Sequence, residues 1–272
     1  MGSSKEADLS ATADGPPPPA YSDAVNGSMS SSQAPNNFAT TSELHIHAVG
    51  YDENQALIGK SLENITVHRL DSGEVAYTSV RLKRSSNSCA LVRGSDTNGT
   101  PLIATIYRWG PGRHPRMRIL PRDTPITVEQ AINDDKGDCE VVNVRGRSIF
   151  NHTQKFETSL GSFEWRDGSR QEKDSCNAST LMIMERTDLG KSTLPVAQFV
   201  RNPEFRTPGT KRGLAGEGGS GGRLMMNAES WADQKVEPET IEAFVVASCL
   251  CMLKKEADRF QAETQVIYTG GH

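Results

Sequence analysis

The stretch AFVVASCLCML, residues 243–253, is the longest uninterrupted run of apolar or small side chains in the chain. Its reading decides the fold, because such a run is either a membrane segment or a piece of core. A spanning helix needs about 20 apolar residues, whereas a run of about 10–14 is more often buried in protein. This run has eleven and is bracketed by charge: Glu242 precedes it, and Lys254, Lys255, Glu256, Asp258 and Arg259 follow. Pro238 suits a first helical position, and Glu237, Glu239 and Glu242 complement the positive end of a helix dipole. With no polar face at any helical angle, a helix over residues 238–260 must be enclosed on all sides. Ala243, Ala247, Ser248, Cys249 and Cys251 make it slim, so it fits a narrow enclosure of side chains.

The preceding sequence supplies the enclosure. From Glu43 onward the dominant period is two: LHIHAV, ENITVHRL, VAYTSVRLK, CALVRG, PLIATIYRW, RMRIL, CEVVNV, SIFNHTQKFET, SFEWR, TLMIMER, VAQFV and RLMMNA read as short strands between Gly, Pro, Asn and Asp clusters. Besides the last segment, only TPITVEQAIND has helical character, as a strand end or a single turn. The expected fold is mainly β: a closed antiparallel barrel of about twelve strands around a central, C-terminal hydrophobic helix. Residues 1–42 are rich in Ser, Ala, Pro, Gly, Thr and Asn with one Phe and one Tyr, too little apolar surface to offset ordering entropy. Two regions follow, a disordered tail over 1–42 and a barrel domain over 43–272.

The net charge of −4, with acids and bases interspersed, lacks the positive field of a general nucleic-acid binder. The N-terminus has no apolar secretory core, and the five cysteines are odd in number and scattered, so a reduced, cytoplasmic chain is expected. The sequons at Asn26, Asn64, Asn98, Asn151 and Asn177 are then chance matches.

A family resemblance rests on YTSVRLKRSSNSCALVRG leading into TPLIATIYRWGPGRHPRMRIL, then KFETSLGSFEWRDG, STLMIMERTD, LPVAQFVRN and the terminal PETIEAFVVASCLCMLKK. Over roughly residues 43–258 the chain resembles the tubby C-terminal-like superfamily, which includes LURP-one-related proteins and phospholipid scramblases, and most closely its fungal members. The resemblance implies a closed barrel of roughly twelve strands around a hydrophobic helix easily mistaken for a membrane anchor. It brings no enzymatic mechanism, and a fold alone does not license one.

Two stretches carry binding chemistry. PPPPAY contains Pro18, Pro19, Ala20 and Tyr21, a PPxY match in the tail. Prolines preset polyproline II, which aromatic-lined grooves such as those of WW domains accept without further ordering cost. A WW-domain partner, for example a ubiquitin ligase or adaptor, would read Pro18, Pro19 and Tyr21. In YRWGPGRHPRMRILPR, Arg108, Arg113, Arg116, Arg118 and Arg122 occur without an acid. On a strand Arg116 and Arg118 share the outward face and Met117 and Ile119 the inward one. Guanidinium forks suit phosphates, and Trp109 could sit at a headgroup surface. Tubby proteins bind phosphoinositides through basic residues on barrel strands, so the resemblance makes these five arginines headgroup candidates. The plainer reading is a solvated strand face with arginines paired to acids elsewhere on the barrel.

Other patterns fail on context. Gly216, Gly218 and Gly221 fit GxGxxG, and Gly218, Ser220 and Gly222 fit GxSxG, but a basic loop precedes them and strand-like RLMMNA follows. Neither a βαβ unit nor a strand-to-helix elbow is present, so a hairpin loop is expected and no catalytic residue is assigned. His45 and His47 share one strand face and would need two further ligands to hold a metal. Cys89, Cys139 and Cys176 lack CxxC spacing, and Cys249 and Cys251 read as small core residues. Asp134, Asp135, Asp138 and Glu140 lack EF-hand order, and a charged turn is expected there. No metal or other cofactor is expected. Two functions of different class remain: a non-catalytic cytosolic binding or adaptor protein, peripheral at most, and a scramblase-like protein using the C-terminal helix to handle lipid.

Overall fold

The computed structural model describes residues 38–50, 64–83, 86–94, 99–107, 114–121, 125–133, 139–146, 153–190, 192–210, 219–232 and 235–269, with side chains to residue 260. Twelve strands form: β1 (Ser42–Val49), β2 (Ile65–Arg69), β3 (Val75–Arg81), β4 (Cys89–Arg93), β5 (Ile103–Ile106), β6 (Arg116–Ile119), β7 (Glu140–Gly146), β8 (Gln154–Thr158), β9 (Gly161–Asp167), β10 (Thr180–Arg186), β11 (Leu194–Arg201) and β12 (Ser220–Met226). Each strand pairs antiparallel with its sequence neighbours. β1 closes on β12 through pairs such as Leu44 with Leu224, giving one closed barrel. Alternation sets the two faces. Leu44, Ile46 and Ala48 of β1 and Val142 and Val144 of β7 point inward and are buried, while Val141, Asn143 and Arg145 face out.

Among the described residues three α-helices accompany the barrel, α1 (Val128–Asn133), α2 (Arg170–Ser175) and α3 (Pro238–Thr269), with a short 3-10 turn over Ala228–Trp231. All of residues 243–253 of α3 are buried, a length of about 16 Å at 1.5 Å per residue. The barrel wall packs directly on this helix. The Phe244 ring lies 5.5 Å from Phe163 and 6.2 Å from Phe156, and Phe163 stacks on Trp231 at 4.6 Å. Ser248 is the one hydroxyl in the run, and it is satisfied twice: it accepts from Trp165 Nε1 at 2.9 Å and donates to the Val245 carbonyl at 2.9 Å. A buried indole N–H therefore has its acceptor.

The acids ahead of the run hold the helix start. Glu242 accepts from Arg69 Nη1 at 2.7 Å and Nη2 at 2.6 Å, Tyr77 Oη at 2.8 Å and Ser42 Oγ at 2.9 Å. Glu239 is forked by Arg93. Arg69, Tyr77 and Arg93 lie on inward positions of β2, β3 and β4, so the helix is anchored to three adjacent strands.

Parts of the outer wall are also covered. α1 lies over Val80, Ala90, Val92 and Ala104, the outward residues of β3–β5, which pack with Val128, Ile132 and Ala131. α2 and the segment 202–210 flank a second outer cluster of Leu181, Ile183 and Val200 with Cys176, Ala178, Phe205 and Met225. The twelve expected strands each overlap one observed strand. TPITVEQAIND is a helix of six residues, the C-terminal helix runs nine residues beyond 260, and α2 was not anticipated. Of the tail expected over 1–42, residues 1–37 lie outside the described residues, while Thr41 bonds to Met226 and Ser42 opens β1.

Candidate functional site

Antiparallel order fixes which ends meet. The odd-numbered strands end, and the even-numbered strands begin, on the rim where α3 emerges; it is called the exit rim below. Between the end of β3 and the start of β8, the described charged residues that the strands and turns bring to this rim are Arg81, Lys83, Arg116, Arg145 and Lys155, all cations, and α3 adds Lys254, Lys255 and Asp258. The opposite, entry rim mixes Arg69, Arg93 and Arg186 with Glu74, Glu140, Asp188, Glu239 and Glu242.

A cavity of about 30 Å³ opens between α3 and strands β2–β5 at the exit rim, room for roughly two waters. Its floor is apolar, from Ile65, Leu91, Ile103, Ala247 and Leu250. Its mouth is polar, from Arg81 and Asn87 of the β3–β4 hairpin, Tyr107 after β5, and Lys254 of α3. Arg81 is oriented by its own hairpin: Nε and Nη2 donate to the Ser86 carbonyl at 2.9 and 2.6 Å, and Nη2 donates to Asn87 Oδ1 at 3.1 Å. Burial pushes the Arg81 pKa down from its ordinary value, which marks a cation partly stripped of water. Lys254 donates to Asp258 one turn on, and the neighbouring Lys255 reaches Gln154. Burial also lowers the Lys255 pKa.

Cys89 and Cys251, with Ser79 and Thr105, complete the lining. Burial raises the Cys251 thiol to about 11 and pushes Cys89 and Tyr107 upward as well. All three are neutral near pH 7, so they serve the cavity as hydrogen-bonding groups and not as nucleophiles. The chemistry assembled here is one partly desolvated guanidinium, the Lys254 ammonium beside Asp258, and neutral hydrogen-bonding groups over an apolar floor. That combination receives a small anionic group.

The arginine-rich stretch divides. Arg116 opens β6 on the exit rim, paired in register with Ile106 and Asn143, and its Nε makes no hydrogen bond among the described residues. Arg118 faces outward, as its strand parity requires, but it is only 3 % exposed. The expected solvated cationic face is absent at this residue because α1 closes over it. Nη1 donates to the Ala131 carbonyl at 3.2 Å and Nε to Cys139 Sγ at 3.1 Å. Arg108, Trp109, Arg113 and Arg122 lie outside the described residues, as do Pro18, Pro19 and Tyr21. Tyr107 and His114, which bracket the first three, stand at the exit rim.

The remaining motifs have structural roles. Glu140 binds the β8–β9 turn through the Ser159 amide and hydroxyl, while Asp134, Asp135 and Asp138 lie outside the described residues. Gly221 belongs to β12, where a Cβ would stand 2.1 Å from the Ile46 carbonyl oxygen. It is packed wall and not a mobile loop; Gly216 and Gly218 fall outside the described residues. All five cysteines are free. Among the described residues no three His, Cys, Asp or Glu side chains are grouped to hold a metal ion.

Sequence reasoning missed Arg81, Asn87, Tyr107 and Lys254 as a group. Two signals were available: the basic, Ser-rich hairpin RLKRSSNSC, and the i, i+3 spacing of Cys251 and Lys254 at the end of the apolar run. Comparison with family models, with curated proteins and with solved structures finds no match to this chain.

Proposed function

We propose that the chain is a non-catalytic binding and adaptor protein: the exit rim of the barrel engages an anionic phospholipid headgroup, and the PPxY motif at Pro18, Pro19 and Tyr21 recruits a WW-domain partner. The reading rests on one observation, the convergence of Arg81 and Lys254 on a cavity set in a rim sector whose described strand and turn charges are all positive, with Asp258 of α3 as the acid beside Lys254. A phosphate would meet a guanidinium and an ammonium there, and Arg116 extends the same sector. The neutral thiols and phenol of the mouth favour binding over chemistry. Such a protein would act at the cytoplasmic face of a membrane, bound from one side. Enclosure of residues 243–253 speaks against the scramblase-like alternative, because a helix that fills a barrel is not available to lipid. No helix among the described residues is long and apolar enough to cross a membrane.

The test is co-sedimentation of the full chain with phosphatidylcholine vesicles, with and without a phosphoinositide. Each cation near an anionic surface contributes about 1 kcal/mol, roughly fivefold in affinity. Arg81→Gln, Arg116→Gln and Lys254→Gln together should therefore abolish binding that the parent chain shows only with phosphoinositide. Equal binding by the triple variant, or none by the parent at low salt, removes the headgroup reading. Capture on immobilised WW domains tests the tail separately, with Tyr21→Ala expected to lose it.

A further inference from the structure

The lining of the exit-rim cavity contains no acid, but one stands at its mouth. Asp258 lies one turn beyond Lys254 on α3, and its Oδ1 accepts from Lys254 Nζ at 2.5 Å. The other acid of this turn, Glu256, faces away from the cavity toward β11 and the start of β12, where Arg201 and the Gly219 amide hold it. Lys255, between them, reaches Gln154 of β8. The Asp258 charge is felt across the mouth. Behind burial, the largest cause at each group, it raises the pKa of Arg81, Tyr107, Cys251 and Lys255 alike.

The two members of this ion pair differ in exposure. The Lys254 side chain is 15 % exposed and that of Asp258 43 %, so the ammonium belongs to the cavity mouth while the carboxylate can turn into water. The pair itself holds weakly, because an i, i+4 pair on a helix biases its own formation only about twofold. Asp258 thus occupies the lysine without being locked to it, in the position where a bound anion would stand. Arg81 is already set by its hairpin, through the Ser86 carbonyl and Asn87. Exchange at Lys254 is the step that opens the site.

We propose, resting on the headgroup reading, that Asp258 is the resident anion of this cavity and that a terminal phosphate monoester enters by taking its place on Lys254. Ile65, Leu91, Ile103, Ala247 and Leu250 close the cavity behind, so an anion enters end-on. A diester phosphate carries a chain on either side and presents two unesterified oxygens. A monoester presents three, and its single substituent leads back out of the mouth. Charge favours the same ligand. A diester replaces the one charge of Asp258 with another single charge, whereas a monoester brings about −1.5 to −2 near pH 7, enough to engage Arg81 and Lys254 together. Asp258 then sets a threshold that weakly charged anions do not pass.

Co-sedimentation of the full chain at low salt tests this, with phosphatidylcholine vesicles carrying either phosphatidate, a monoester, or phosphatidylserine, a diester, at matched surface charge. The parent should bind the phosphatidate vesicles roughly fivefold more tightly, the effect of about one added charge at the site. Asp258→Asn should raise phosphatidate affinity by roughly fivefold again. In a Lys254→Gln chain, where no ammonium is left to release, the same change should raise it less than about twofold. Equal binding to the two kinds of vesicle overturns the monoester. No rise in Asp258→Asn, or a full rise in the Lys254→Gln chain, overturns the exchange while the headgroup reading stands. Absence of binding by both the parent and Asp258→Asn removes the headgroup reading and the exchange together. Glycerol 3-phosphate separates the two sources of the ester: displacement of the bound chain at a concentration near that of the lipid phosphate assigns a free phosphate ester, and retention on the vesicles assigns the ester of a lipid surface.

Discussion

Glu242 shows how much one side chain can hold in place. Its two carboxylate oxygens receive Arg69, Tyr77 and Ser42, from three strands, at the turn where the helix enters the barrel. Glu242→Ala leaves a guanidinium and a largely buried phenol without their acceptor, a loss of about 2–3 kcal/mol. Glu242→Gln keeps one acceptor oxygen and should lose about half as much, both measured by urea denaturation; equal stability of all three proteins would show that the hub contributes nothing. Glycines offer a sharper contrast. At Gly221 a Cβ would stand 2.1 Å from one backbone oxygen and 2.8 Å from a backbone nitrogen, whereas at Gly209, with φ of +79°, nothing lies within 4 Å. Gly209→Ala should cost about 1 kcal/mol of backbone strain, while Gly221→Ala forces β1 and β12 apart and should cost more than about 4 kcal/mol; similar losses at the two sites would contradict the close approach at the seam. Residue-level function was the least legible layer of the sequence. Strand parity correctly turned Arg118 outward, but parity says nothing about what covers an outer face, and α1 covers this one. The cavity residues come from four strands and a helix that lies 173 positions after Arg81 at Lys254, so no local pattern brings these two together.

At the scale of elements the sequence was far more informative, because period-two alternation is a local property and each strand here buries one face. The twelve alternating segments correspond one to one with β1–β12. Its failure at α2 is instructive. The helix has no buried residue, so it carries no apolar stripe to detect, and its signal lies in the cap. Ser169 accepts from the Glu172 amide at 3.3 Å while the Glu172 carboxylate accepts from the Ser169 amide at 2.7 Å, the reciprocal pair that S-x-x-E announces. Glu172 also receives both Arg166 Nη groups, at 2.9 and 3.1 Å. That guanidinium, helped by the Ser169 amide, holds the Glu172 carboxyl down at about 2, against 4.5 for a free glutamate. A depressed folded value means that the contribution is present above about 4.5 and is lost as pH falls through about 2. Glu172→Gln can still cap but cannot ionise. The stability difference between parent and variant should therefore be constant above about pH 5 and shrink steadily below it; a difference that does not vary with pH would assign α2 to the cap alone.

For the whole molecule, the decisive fact is the order in which the parts appear along the chain. The Thr41 hydroxyl and the Met226 carbonyl that meet at the seam are 185 residues apart, and the helix that fills the interior comes later still. The inward faces of Leu44, Phe156, Phe163, Trp165 and Phe199 have little to pack on until residues 243–253 arrive, because the barrel's core cluster runs through Phe244, Val245, Val246 and Leu250. The entry-rim ion pairs add to this dependence, since Arg69 and Arg93 keep their carboxylates only when α3 is in place. A chain ending at Glu237 would enclose an apolar void as long as three helical turns, far beyond what a wall can collapse to fill, as each lost large side chain alone costs about 2–5 kcal/mol. It should retain strand signal in far-UV circular dichroism, bind a hydrophobic dye, and lose its sharp unfolding transition. Adding residues 238–269 as a separate peptide during refolding should restore cooperativity, with an apparent stability that rises with peptide concentration. Cooperative unfolding of the shortened chain by itself would mean that the barrel closes without its helix, and the apolar run would then need a role outside the core. The closure distance also slows the parent's folding: the β1–β12 ladder is far from local, and all-β domains with such pairings fold in roughly milliseconds to seconds. Refolding that lags the synthesis of β12 until α3 is complete is the kinetic counterpart of the same dependence, and stopped-flow tryptophan fluorescence, read at Trp165 against Ser248 of the helix, follows it directly.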